Sequence, residues 1–369
     1  MGASTAYHLA RRGCTDVVLV EKQPFFGLGA TGKCAGGIRY QFSTAINIRL
    51  SQLSLPMLDR FEDELGQAID LRRCGYLFLL TNETDVAAFQ QNVALQHSLG
   101  VPTQWLTGDE VRHMVPQLAA GDVLAGTFHA SDGLADPNGV VAGYINQARQ
   151  LGVRALADSE VIEIETEGGR VKAVVLENGR LPCEVIVNAA GPWSAVVSQM
   201  AGVLLPVQPI RRQMLTTTPL PDLPANFPFV IDFAQSLYFH REGEGLLTGM
   251  SNPQQPPGFD ESVDEEWELV HLEAAMARLP LLAQASRTAH WAGLYEVTPD
   301  AHPIISRVPQ LEGYVVVTGF SGHGFMHGPI AGLLTAEIIL DGQASTLDLS
   351  ALAANRFQAN QLLTEYNVV

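Results

Sequence analysis

The sequence lacks paired cysteines. Cys14, Cys34, Cys74 and Cys183 are scattered with no CxxC spacing, so neither a zinc site nor a disulfide framework is indicated. The histidines show no metal-ligand spacing, and no metal is expected. Basic charge is scarce: 22 Lys and Arg face 39 Asp and Glu, a net charge of −17. That balance argues against nucleic acid or an anionic membrane surface as partner. Long apolar runs are missing, since Tyr314–Thr318 and Val185–Val187 are only strand-sized. The first residues lack a charged segment leading into an apolar one. A soluble cytoplasmic protein is the resulting expectation. No repeat or low-complexity tract occurs, and the 34 Gly and 21 Pro fall at many separate turns, which excludes a collagenous or disordered chain.

What is present is an α/β pattern. The 369 residues suffice for two ordinary domains, or for one large α/β body with a second lobe. Ala3 to Arg12 reads as a helix stopped by Gly13. Asp16 to Glu21 is an apolar run ending in an acid, as in a parallel strand covered on both faces. A Gly-rich loop spans Phe25 to Gly37. Helical spacing predicts one helix from Ile46 to Leu65 and another over Thr84–Leu99, with a strand at Gly75–Leu80 between them. Asp136-Pro137 opens a further helix through a capping Asp and a first-turn Pro. Short strands flank the Gly168-Gly169 turn. The stretch from Pro206 to Arg287 reads as an antiparallel lobe carrying a helix at Trp267–Leu279. The strand Tyr314–Thr318 then leads through glycines into a helix ending near Leu340.

Four motifs carry the chemistry. Glu21 ends a strand about twenty residues after Gly2, the relation in which an acid holds a ribose and the last glycine of a dinucleotide turn permits close helix–strand packing. Alone, this could be any helix–strand pair. The other motifs are Gly29-Ala-Thr with Gly36-Gly-Ile-Arg39, Asn188-Ala-Ala-Gly-Pro-Trp-Ser194, and Gly293-Leu-Tyr-Glu-Val-Thr-Pro-Asp300 with Gly319-Phe-Ser-Gly-His-Gly-Phe-Met326. In this order the chain resembles the FAD-dependent glycine/D-amino-acid oxidase family. Within it, the chain is most similar to the branch of sarcosine oxidase β-subunits and proline or dimethylglycine dehydrogenases.

The resemblance implies a Rossmann-like FAD-binding domain, lacking its first strand, beside an antiparallel β-rich α+β substrate domain. The FAD domain would comprise 1–75, 131–205 and 288–369, and the substrate domain 76–130 and 206–287. Glu21 would hold the adenosine ribose. Ala30 and Thr31 would lie at the pyrophosphate, and Gly36, Gly37 and Ile38 near the isoalloxazine. Val161 would meet adenine through its backbone. Ala190, Gly191 and Trp193 would form a further cofactor turn, and Gly322, His323, Gly324, Phe325 and Met326 would line the pyrimidine end of the flavin. Because relatives begin with a strand and two further glycines, Met1 is expected to be an internal methionine of a longer natural protein.

The implied activity is oxidation of the C–N bond of a secondary or tertiary amino acid, or an N-methyl amine, by hydride transfer to flavin. Arg39 matches the residue that holds substrate carboxylate in such enzymes, a role suited to its planar fork; a structural salt bridge is the competing role. Tyr295 matches an active-site tyrosine, with packed aromatic surface as the alternative. His323 could contact flavin or serve as a structural histidine. Leu247 stands where oxidase relatives place an oxygen-activating lysine, and Met326 replaces a second cation, so a dehydrogenase is favoured over an oxidase. A partner subunit or electron-transfer protein would then accept electrons. A flavin-fold binding or assembly protein without turnover is the reading from another class. Gly293 occupies the position at which some relatives link flavin to cysteine, so the FAD is expected to be noncovalent. Acid precipitation should release all yellow colour into the supernatant; flavin retained in the pellet would reveal an attachment point.

Overall fold

The computed structural model describes residues 1–368. The helix Gly2–Arg11 leads to the short strand Val18–Val20, which runs parallel to Arg154–Leu156. A second ladder joins Ile186–Asn188 in parallel to Tyr314–Thr318, which pairs antiparallel with Ile304–Arg307. Every residue of Tyr314–Thr318 is buried, as the unbroken apolar run requires of a strand covered on both faces. The helices Gly2–Arg11, Ala45–Asp59 and Gly324–Leu340 pack together over these ladders. The last of them fills one core with Ile330, Leu334 and Ile338 against Leu50, Val315 and Val317. Among the described residues the two ladders share no backbone pairing.

Eight strands form the large sheet, in the order Arg287–Val297, Gln208–Thr217, Gly245–Met250, Leu237–Glu242, Phe229–Asp232, Tyr76–Leu80, Ala125–His129 and Gln104–Thr107. One pair departs from the antiparallel expectation: Phe229–Asp232 lies parallel to Tyr76–Leu80. That pairing joins segments far apart in sequence, and both strands are buried throughout. The sheet also reaches beyond residue 287, because Arg287–Val297 pairs with Gln208–Thr217 along nearly its whole length. Residues 288–297, expected in the FAD domain, are therefore a strand of the large sheet. Backbone pairing with a neighbour, which composition does not reveal, decides this.

The helix expected over 46–65 is two helices, Ala45–Asp59 and Phe61–Leu65, meeting at Arg60. Pro56 already removes one rung from the first, and the second closes on Gly66 in the left-handed region. Capping behaves as the sequence suggests at Asp136, whose carboxylate accepts from the backbone N–H groups of Asn138 and Gly139 at 2.9 Å each. No helix among the described residues is long and apolar enough to cross a membrane.

A buried ion pair fixes the segment that follows Tyr295. Arg356 donates to Asp300 from Nε at 2.8 Å and from a terminal nitrogen at 3.0 Å, with side-chain exposures of 2% and 1%. The arginine holds the Asp300 carboxyl below its ordinary range despite burial. Breaking one side of such a pair strands a charge in low dielectric, at about 3–5 kcal/mol. Asp300→Asn should lose stability of that order in urea unfolding, and a loss under about 1 kcal/mol would contradict this role.

Candidate active site

One cavity of about 1860 Å³ runs between the two ladders and onto the face of the large sheet. It exceeds the roughly 300–1,000 Å³ of a common small-molecule pocket, as an extended dinucleotide requires. Of the residues expected at a cofactor, Gly2, Glu21, Ala30, Thr31, Gly36, Gly37, Val161, Ala190, Gly191, Trp193, Gly322, His323, Gly324, Phe325 and Met326 all line it. Ile38 does not. It follows Gly37 on a two-residue strand, so its side chain takes the opposite face and lies fully buried in the core with Phe42 and Ile48.

The walls fit an anionic dinucleotide. Two helix N-termini, those of Gly2–Arg11 and Gly324–Leu340, open on the cavity. Neither has a side-chain cap nor an acidic residue in its first turn, so their N–H groups and positive dipole ends remain available to an anion. Thr5, in the first of these helices, has a buried hydroxyl without a hydrogen-bond partner among the described residues. A Cβ built at Gly29 would meet no atom within 4 Å, leaving the backbone there open to close approach.

At the other end of the cavity stand Arg39, Tyr76, Arg212, Tyr238 and Tyr295. Arg39 is 5% exposed. Its guanidinium donates to the backbone carbonyls of Gln41 and Asn367 and lies 3.9 Å from the centroid of the Phe42 ring. Burial pulls its pKa down, opposed by the charges of Tyr76, Glu365, Asp132 and Tyr295. It forms no ion pair among the described residues, so the structural salt bridge weighed from sequence is not what this arginine makes. Tyr295 is held by the close approach of Gly322, and its hydroxyl has no hydrogen-bond partner among the described residues. Burial raises that hydroxyl's pKa, while Arg212 and Arg39 pull it back.

His323 also lines the cavity, yet protein groups engage both its ring nitrogens: Nε2 lies 3.1 Å from the Ala301 carbonyl, and Nδ1 lies 3.3 Å from Nδ1 of His327. Burial lowers its pKa to about 3, so the ring is neutral near pH 7 with no free nitrogen for a substrate. Its ring is held by protein neighbours, the arrangement of the structural histidine weighed from sequence. Leu247 is absent from the cavity wall; it belongs to the core cluster of Met214, Phe229 and Tyr238, and its strand partners are Thr216 and His240.

Two acids that the sequence reading gave no role hold the site together. Glu296, next to Tyr295, accepts from the Thr318 hydroxyl at 2.6 Å and from the Phe320 N–H at 3.4 Å, tying the Tyr295 strand to the glycine turn. That turn is strained at Ser321, whose φ is 50°. Asp132 accepts from Gln41 Nε2 at 3.0 Å and from the Tyr40 N–H at 2.8 Å, fixing the two residues that follow Arg39.

A family model described as FAD dependent oxidoreductase (DAO) matches residues 1–338. The chain belongs to the DAO family of FAD-dependent oxidoreductases. It is 29% identical to FAD-dependent oxidoreductase domain-containing protein 1 of Xenopus laevis, over all of this chain and 83% of that protein. It is 29% identical to mouse mitochondrial dimethylglycine dehydrogenase, over 97% of this chain and 43% of that protein. The chain thus spans less than half the length of the latter. Among solved structures, L-proline dehydrogenase from P. horikoshii superposes with a TM-score of 0.90 at 30% identity, covering 98% of this chain and 96% of that one. The family and branch read from the four motifs, the α/β architecture and FAD as cofactor are all supported.

Gly322 generates a test. Its φ is +100°, and a Cβ there would sit 2.3 Å from Cε2 of Tyr295. Gly322→Ala should displace the tyrosine, cost about 1–3 kcal/mol of backbone strain and lower kcat/KM by about tenfold or more. Unchanged denaturation and kinetics would show that this approach is not required.

Proposed function

We propose that the protein oxidises the C–N bond of a secondary or tertiary amino acid of the sarcosine, proline or dimethylglycine type. The observation that carries this reading is Arg39, a buried guanidinium without a carboxylate partner among the described residues, opening on the same cavity as Tyr295, whose hydroxyl has no hydrogen-bond partner among them. Similarity to proline and dimethylglycine dehydrogenases supports it. Burying a cation without a counter-charge is costly, and a substrate carboxylate would offset that cost on binding. The FAD, when bound, supplies the ring that accepts the electrons.

The residues then divide by task. The helix end at Gly2 and Thr5, with Ala30 and Thr31, would hold the pyrophosphate. Glu21 would take the adenosine ribose, and Val161 would meet adenine through its backbone. Ala190, Gly191 and Trp193 form the further cofactor turn. Gly36 and Gly37 would flank the isoalloxazine, with Gly322 to Met326 at its pyrimidine end and attachment noncovalent. Arg39 would fix the carboxylate and Tyr295 would order the amine side, so that the carbon next to nitrogen faces the flavin; orientation is the main protein contribution to such a reaction. The FAD-binding body is assigned to 1–75, 131–205 and 298–369, the substrate body to 76–130 and 206–297.

A dehydrogenase, passing electrons to a partner subunit or an electron-transfer protein, is the form we favour. Met326 puts an uncharged side chain on the cavity wall where a cation would help reduce oxygen. Leu247, which lies behind the wall, carries no weight here. Anaerobic addition of sarcosine or proline should bleach the flavin spectrum. Arg39→Met should lower kcat/KM for the amino acid by about 10- to 100-fold, the equivalent of about 1.5–3 kcal/mol, with flavin content unchanged. Unaltered kinetics would remove Arg39 from this role.

A further inference from the structure

Arg211 and Arg212 are neighbours on the strand Gln208–Thr217, so their side chains leave opposite faces of the sheet. Arg211 is fully answered: it reaches Asp260 at 2.9 Å, Gln255 at 3.1 Å and Asp264 at 3.4 Å. Arg212 turns into the cavity. One terminal nitrogen donates to the Arg211 carbonyl at 3.1 Å, while its buried Nε has no partner among the described residues. The guanidinium carbon lies 5.2 Å from the Tyr295 ring centroid. No carboxylate pairs with it among the described residues, and the groups that offset its desolvation are the phenols of Tyr295 and Tyr238.

The other cations beside Tyr295 differ. Lys33 holds Glu261 at 2.8 Å, and Arg39 has two carbonyls. Arg212 therefore combines open donors, low solvent access and no counter-charge. A guanidinium in that state is completed by an anion from solution, and its planar fork matches a carboxylate. Tyr295 is influenced by both arginines, which brings two cationic groups to one tyrosine.

We propose that Arg212 is a second anion subsite, and that the preferred substrates are amines flanked by two carboxylates: N-carboxyalkyl amino acids, with one acid on Arg39 and the other on Arg212. This rests on the reading of Arg39 given above. The test uses flavin-loaded protein and two thioether acids, methylthioacetate and thiodiacetate, in which sulfur replaces the oxidisable amine. Isothermal titration should show thiodiacetate binding about 10- to 100-fold tighter. Arg212→Met should erase the difference by weakening thiodiacetate selectively. Arg212→Lys, which keeps the charge without the fork, should leave a preference of only a few-fold and serves if Arg212→Met fails to fold. Equal affinities in the unmutated protein overturn the subsite, as do equal losses for both acids or undiminished discrimination in Arg212→Lys. Turnover of N-methylglycine and iminodiacetate is measured alongside. Discrimination without turnover of either would defeat the amine-oxidation reading and leave the subsite standing; turnover without discrimination would do the reverse.

Discussion

The carboxylate of Asp300 is where the cavity's geometry is anchored. It neutralises Arg356 and accepts from the His302 N–H at 3.2 Å. His302 then meets the Thr44 hydroxyl at 2.9 Å, and Thr44 donates to Glu365 at 2.7 Å. Glu365 also accepts from Ser43, Asn47 and the N–H of Asn367, and Asn367 presents its carbonyl to Arg39. A continuous polar chain thus links the segment after the Tyr295 strand to Arg39 through the C-terminal segment. Each member is buried or nearly so, and in low dielectric an unmade bond costs more than a made one gains. The network has few alternative arrangements, which is how two side chains from distant sequence positions come to face one cavity at fixed geometry.

Around the cavity, charge is settled in two ways. Structural cations are answered by carboxylates: Arg278 by Asp122 and Asp232, Arg356 by Asp300, Lys33 by Glu261. Among the described residues, Arg39 and Arg212 are not. The buried histidines are settled by neutrality, since burial lowers His323 to about 3 and His8, His240 and His271 to about 4. Arg39, Arg212 and the two helix ends are thus places on the cavity wall suited to an anionic ligand.

Much of the architecture was legible because its signals are local. The apolar run at Tyr314–Thr318, the cap at Asp136 and the glycine turn at 168–169 depend on residues within a few positions of one another. The cofactor motifs were legible for a related reason: a glycine marks a close backbone approach whatever lies opposite. Gly322 is the clearest case, needed because the Tyr295 ring occupies the space a Cβ would take. Less legible were the break at Arg60 and the membership of Arg287–Val297 in the large sheet, which turn on what packs or pairs against those residues.

The sequence by itself determined the family and the cofactor class, and all but one of the residues it named for the cofactor line the cavity, because those depend on backbone conformation and side-chain type at fixed spacing. Only the tertiary structure decided what each polar side chain faces. It turned Ile38 into the core and engaged both nitrogens of His323. It set Leu247 behind the cavity wall and left Arg212 unpaired while its neighbour Arg211 found carboxylates. The adjacent arginines carried a hint, since consecutive strand residues face opposite ways. Which face was the cavity, and whether an acid waited there, depended on strands and loops brought in from elsewhere in the chain. Charge compensation is a property of the packed assembly, so no local reading of the sequence could supply it.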